Sequence, residues 1–137
     1  MAQYGKLVPQ PSPETQRFWE GCKQHELWLP YCQACEKHYF YPRDFCPTCF
    51  SWDVEWRRAS GRGKLYTYAI QHRAQGPGFA DEVPYVTAIV ELEEGPRLLT
   101  NLVGVEADPE KISCDMPVEV VFEDITGQIS LPKFRPA

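Results

Sequence analysis

Two Cys-x2-Cys pairs, Cys32/Cys35 and Cys46/Cys49, stand ten residues apart in a chain of 137, and they restrict the fold more than any other feature. Each pair places two thiols on one side of a tight turn, and two such turns facing each other complete a tetrahedron around Zn²⁺. The connecting segment Glu36 to Phe45, with Tyr39, Phe40, Tyr41 and Pro42, is predicted to be a short hairpin between the two knuckles. Four thiolates also suit iron, so ligand chemistry alone leaves zinc or iron open. Either metal would be closed off from substrate and from water, which makes the site structural. His38 lies between the knuckles but is surplus to a four-cysteine set. It is expected to be a hydrogen-bonded or solvated residue.

Disulfides and redox chemistry fit the six cysteines less well. The first six residues, Met-Ala-Gln-Tyr-Gly-Lys, have neither the charged start nor the apolar stretch of a secretory signal. No apolar run is long enough to span a bilayer. A cytoplasmic location with no membrane association is therefore expected, and structural disulfides are rare there. Neither Cys pair sits in the βαβ pattern of a thioredoxin-like redox motif. Cys22 and Cys114 remain, and both are expected to be buried as small apolar groups.

The rest of the chain reads as short strands. Residues 1–11 form an extended, Pro-containing arm. Ser12-Pro13-Glu14 is a helix-start signal, and Phe18, Trp19 and Cys22 then recur at helical spacing before Leu29-Pro30 ends the helix. From Gly61 the period changes to that of strands. These are predicted over 65–72, with Tyr66, Tyr68 and Ile70 on one face, and over 85–92, 97–103, 118–122 and 130–134. Asp108–Ile112 is expected to form one helical turn, and Pro132 to mark an edge. Five strands with no amphipathic helix between them point to an antiparallel barrel of the OB type. The predicted architecture is mainly β: an N-terminal arm and helix (1–30), a zinc ribbon (31–56) and a C-terminal five-stranded OB-fold barrel (57–137).

Charge narrows the function. Residues 1–75 carry a net +3 and residues 76–137 a net −8. The acidic half disfavours general nucleic-acid affinity, which depends on neutralising phosphates. Arg57, Arg58, Arg62 and Lys64 nevertheless put four cations into eight residues, a candidate contact for the phosphates of coenzyme A or of nucleic acid. No nucleophile elbow, zinc-protease motif or paired carboxylates support catalysis by the chain itself. Of its 18 aromatic residues, 14 lie within residues 1–68. Phe18, Trp19 and Trp28 among them are candidate partner contacts, because Trp is enriched at interfaces.

Together, Phe18-Trp19-Glu20-Gly21, Leu27-x-Leu29-Pro30-x-Cys32-x2-Cys35, Tyr41-Pro42-Arg43, Cys46-Pro47-x-Cys49, Glu55-Trp56, Ser60-Gly61-Arg62-Gly63, Pro84-Tyr85, Pro117-Val118 and Leu131-Pro132-x-Phe134 follow one pattern. It resembles the family catalogued as domain of unknown function thirty-five, over roughly residues 12–135. The resemblance implies a helical piece, a rubredoxin-like zinc ribbon and an OB-fold, with one structural Zn²⁺ at Cys32, Cys35, Cys46 and Cys49. It also implies a non-catalytic accessory role: a subunit in a hetero-oligomer with a thiolase-superfamily enzyme (thiolase, acyltransferase or aldolase). Such a subunit stabilises the partner and helps to form the entrance for a coenzyme A thioester. Cys114 stands where the family often has Gly. The other classes to weigh are a nucleic-acid-binding ribbon/OB protein and an acyl-transfer enzyme using Cys114 or Cys22. Elemental analysis of freshly purified protein is expected to find one zinc per chain.

Overall fold

The computed structural model describes residues 4–137, so the first three residues of the predicted arm lie outside the described residues. From Tyr4 the arm runs against the turn at Pro77–Phe79. Gly5 and Gly78 meet there so closely that a Cβ on Gly78 would fall 2.4 Å from the Gly5 carbonyl oxygen. Lys6 pairs with Glu82 and lies 4.6 Å from the centre of the Phe79 ring.

Helix α1 spans Gln16–Lys23, three residues later than the Ser-Pro-Glu signal suggests. The Thr15 hydroxyl is taken by the Ser12 backbone N–H (2.9 Å), and the Ser12 carbonyl accepts from Thr15 N–H (3.0 Å) and Gln16 N–H (2.8 Å). Residues 12–15 thus close as a separate turn ahead of the helix. The other end is a Schellman cap, with Glu26 N–H donating to Gly21 C=O (2.8 Å) and His25 N–H to Cys22 C=O (3.0 Å). His25 occupies the left-handed position (φ 61°) where glycine is usual. Its ring stacks on Phe122, and its Nε2 lies 3.0 Å from Asp124 Oδ1, which ties the helix end to the barrel.

The ribbon sheet has the order β2-β1-β3, with β1 Trp28–Cys32, β2 Lys37–His38 and β3 Val54–Arg58 all antiparallel. Pro30 sits inside the central strand. Its carbonyl accepts from Tyr39 N–H on the β2 side (3.1 Å), so its missing donor faces the side where β2 is short and costs no bond to β3.

The barrel closes in the order β4-β5-β6-β8-β7, with β4 Arg62–Gln71, β5 Tyr85–Leu92, β6 Arg97–Leu102, β7 Pro117–Asp124 and β8 Ser130–Pro136. This is the mainly β, five-stranded OB architecture that the strand pattern predicts. Gly63 has no room for a side chain, since a Cβ would lie 2.4 Å from the Glu91 carbonyl oxygen. Leu65, Val90, Val118 and Phe134 fill the barrel, and Phe18, Cys22, Leu27 and Leu29 join the same buried cluster.

Three local expectations are corrected. A bulge between Leu65 and Thr67 throws Tyr66 outward (43% exposed) while Tyr68 and Ile70 stay on the core side, so the three do not share a face. Cys114 is exposed rather than buried, because it lies in a turn that continues into Asp115 at φ 69°. Asp108 to Lys111 makes a hydrogen-bonded turn and no helix.

Asp124 joins the modules electrostatically. It accepts from the buried Ser130 hydroxyl, faces His25 and lies 3.6 Å from Lys23 Nζ. The Ser130 hydroxyl above all, and then His25, hold its carboxyl down to about 2 from an ordinary 3.8. A depressed carboxylate contributes stability above its unfolded pKa and loses it as pH falls through the folded value. Thermal melts are therefore expected to show a stability loss between pH 3.8 and about 2 that is flatter in Asp124→Asn.

Candidate metal centre

The two knuckles are built alike. Cys32 ends β1, and the Cys35 backbone N–H points at its sulfur (3.5 Å). In the second knuckle Thr48 N–H points at Cys46 Sγ (3.4 Å), and Phe50 N–H closes on Cys46 C=O (2.8 Å). The residue after the second cysteine adopts left-handed backbone in both turns, Glu36 at φ 56° and Phe50 at φ 62°. Each chain reversal thus aims two sulfurs at one point.

The four Sγ atoms lie within 4.8 Å of one another, with Cys32–Cys49 at 3.5 Å and Cys35–Cys46 at 3.6 Å. A tetrahedron with Zn–S bonds of about 2.3 Å has edges of about 3.8 Å, so the donor set fits a single tetrahedral ion. All four thiols are free, with Cys32 and Cys46 buried and Cys49 exposed. Backbone N–H groups of Cys49 and Thr48 hold the Cys46 thiol down to about 6, whereas sharing with the Cys32 sulfur pushes Cys35 up to about 12. Thiols crowded this closely compete for protons, and a divalent cation replaces those protons. His38 stands outside the cluster, edge-on to Tyr31, and burial lowers its pKa. Tyr39 is buried beside the sulfurs and donates its hydroxyl to Arg43 C=O (2.5 Å), which fixes the hairpin.

The cation cluster does not form one free patch. Arg57 bonds Glu55 and stacks on Tyr31 (3.5 Å), Arg58 pairs with Glu26, Arg62 with Glu93, and Lys64 with Glu91. Arg62 and Lys64 are two apart on β4 and share a face, while Arg57 and Arg58 are neighbours on β3 and point to opposite faces. Among the described residues, only Arg17, Lys37, Arg43 and Arg73 lack a carboxylate within 4.0 Å.

The candidate partner contacts divide as well. Phe18 is 2% exposed and its ring belongs to the chain's own core, because the helix docks by this residue. Trp19 packs edge-on against it and lines a cleft, and Trp28 is covered by the Arg17 guanidinium (4.1 Å). Sequence reasoning pointed to Trp52 (71% exposed) as a docking residue but missed Phe50 (69% exposed), and the two flank Phe45 at the second knuckle. A bulky apolar residue directly after a knuckle, where the left-handed turn must stay open, was the available signal.

Comparison with known proteins bears on the whole chain. Residues 19–55 match the family model of the ChsH2 rubredoxin-like zinc ribbon domain, and residues 56–123 that of the ChsH2 C-terminal OB-fold domain. A probable enoyl-CoA hydratase alpha subunit of Thermomonospora curvata is 42% identical over 96% of this chain, which spans only 40% of that protein's length. A DUF35 domain-containing scaffold protein of Methanocaldococcus jannaschii is 41% identical over 80% of this chain and 77% of its own. The solved structure of an Ltp2-ChsH2(DUF35) aldolase contains a chain that superposes with a TM-score of 0.82 at 39% identity, covering 94% of this chain and 98% of that one.

Replacing Cys46 by Ser is expected to abolish metal retention and to unfold the ribbon, because one lost ligand breaks a site whose binding energy is folding energy. Cys114→Ser, at an exposed thiol outside the cluster, is expected to retain the metal. Metal content and the near-ultraviolet circular dichroism of the ribbon aromatics check both outcomes.

Proposed function

The chain belongs to the DUF35 family of ChsH2-type proteins, a rubredoxin-like zinc ribbon joined to an OB-fold, and on that premise we propose that it is a non-catalytic subunit of a hetero-oligomeric acyl-CoA-processing complex. The catalytic partner is a thiolase-superfamily enzyme, and this chain stabilises it and helps to form its coenzyme A entrance. The observation that carries the reading is the relative in the Ltp2-ChsH2(DUF35) aldolase, which this chain matches over 98% of that chain's length. The scaffold-protein name of the archaeal relative supports the same role.

In this reading Cys32, Cys35, Cys46 and Cys49 hold one structural Zn²⁺, supported by the fit of their sulfurs to a tetrahedron. The ion fixes the ribbon hairpin and does no chemistry on the substrate. Contact with coenzyme A phosphates falls to Arg62 and Lys64, whose exposed heads share a face of β4 and are held by surface carboxylates that a phosphate displaces. Neither leftover thiol favours intrinsic acyl transfer. Burial pushes Cys22 up to about 12, which keeps it protonated, and the three histidines are not placed to serve Cys114: His25 faces Asp124, His38 faces Tyr31, and His72 lies at the far end of β4.

The tagged chain, purified from its native cells, is expected to co-elute with a thiolase-superfamily enzyme and to be required for that enzyme's full activity on an acyl-CoA thioester. Failure to recover such an enzyme overturns the reading. So does turnover of a thioester by the isolated chain that is lost in Cys114→Ser.

A further inference from the structure

The four sulfurs of the metal centre are not equally placed. Cys32 is held in β1, and Cys46 is tied down by its N–H, which donates to Ser51 C=O (2.9 Å). Both are buried. Each sulfur receives a backbone N–H, Cys32 from Cys35 (3.5 Å) and Cys46 from Thr48 (3.4 Å), and such bonds draw charge off a thiolate. Cys49 is the one exposed member of the set. It sits in a turn, residues 47–50, that is exposed throughout, whereas Cys35 in the first knuckle is half-buried. Cys49 is therefore the sulfur that a small reagent reaches first, and its turn has room to move.

The close sulfur pairs run between the knuckles and not within them. Cys32 Sγ stands 3.5 Å from Cys49 Sγ, and Cys35 Sγ 3.6 Å from Cys46 Sγ. The exposed sulfur thus has a buried sulfur of the other knuckle beside it. An accessible thiol with a resolving thiol at hand is the arrangement that oxidises reversibly. The remaining cysteines lack it. Cys114 is exposed but lies outside the cluster, and Cys22 is buried.

We infer that the metal centre is also a reversible oxidation switch, in which a hydroperoxide reacts at Cys49 and Cys32 then closes on it as a disulfide. The inference rests on the reading that the four cysteines hold one zinc. Bound zinc keeps the sulfurs deprotonated, and the thiolate is the form that attacks. In the first step the Cys49 sulfur attacks one peroxide oxygen. An S–O bond forms, the O–O bond breaks, and the leaving oxygen takes a proton and departs as water or an alcohol. Cys49 is oxidised by two electrons to a sulfenic acid, and the peroxide is reduced. In the second step the Cys32 sulfur attacks the Cys49 sulfur. The S–S bond forms, the S–O bond breaks, and the hydroxide leaves as water with a second proton. Only Cys35 and Cys46 then remain as ligands, too few for a closed site. The ribbon's own buried set is Cys32, Tyr39 and Cys46, so the knuckles loosen while the barrel still holds Leu29 of β1. The disulfide is open to thiol exchange, so a reductant and fresh zinc restore the site.

Peroxide titration of the unmodified, zinc-loaded chain tests this without relying on any variant to fold. Hydrogen peroxide is added below one equivalent, a chromophoric chelator reads the zinc released, and samples blocked with N-ethylmaleimide are digested and mapped by mass spectrometry. One zinc is expected to leave per disulfide formed, the first disulfide joins Cys32 and Cys49, and the near-ultraviolet circular dichroism of the ribbon aromatics falls. Dithiothreitol with zinc chloride is expected to restore the metal and the spectrum. Cys114→Ser is expected to release zinc within about twofold of the unmodified rate. Cys49→His exchanges the exposed sulfur for another zinc ligand, and the zinc it carries is expected to leave at least about tenfold more slowly. A first disulfide within one knuckle, joining Cys32 to Cys35 or Cys46 to Cys49, overturns the inference. So does oxidation that reaches Cys114 while the four cluster thiols stay reduced and the zinc stays bound, a result that leaves the zinc reading standing. Freshly purified chain that carries no zinc overturns both readings.

Discussion

A single apolar cluster runs from the helix through the ribbon's first strand into the barrel, and the rest of the structure depends on it. Phe18, Cys22, Leu27 and Leu29 lie within the same buried set as Leu65, Val90, Val118 and Phe134. Burying a side chain such as Phe18 contributes about 1.5–3 kcal/mol. An eight-residue helix is too short to hold itself in water, so α1 exists because its Phe18/Cys22 face is spent on this core. Gly21 shows how close the approach is, since a Cβ there would lie 2.6 Å from the Trp28 ring. The Schellman cap then turns His25 toward Asp124, and the polar clasp locks the orientation that the apolar core sets.

The ribbon has no comparable core. Its own buried set is Cys32, Tyr39 and Cys46, two of the three being thiols of the sulfur cluster. A segment this small does not bury enough apolar area to fold independently and needs a metal or a neighbour. It has the neighbour through β1, whose Leu29 belongs to the barrel-side cluster, and the converging sulfurs supply the site for the metal. The two supports act at opposite ends of the ribbon. The barrel holds its base, and the tetrahedral cluster holds its knuckles.

Surface chemistry follows from what these packings leave over. Most cations are paired with carboxylates, which disperses the apparent basic cluster and removes the strongest argument for nucleic-acid binding. Exposed apolar groups collect instead at the second knuckle, in Phe50 and Trp52, and at the barrel edge, in Leu99.

Much of this was legible in the sequence because it depends on local spacing. The Cys-x2-Cys turns, the five strands and the Gly/Pro turns between them are set by nearest-neighbour geometry, so strand β5 was read to the residue and the sulfur cluster was assembled from its spacing. What needed the tertiary structure was every feature decided by a residue distant in sequence. The bulge that expels Tyr66 arises in the pairing of β4 with β5, the burial of Phe18 in a barrel formed forty residues later, and the pairing of Arg62 in the reach of Glu93 across a turn. The exposure of Cys114 belongs to the same class. Sequence by itself determined which elements form, since backbone periodicity and ligand spacing are local. Tertiary structure decided which side chains remain free to act, because exposure and charge pairing are properties of contacts that no local pattern encodes.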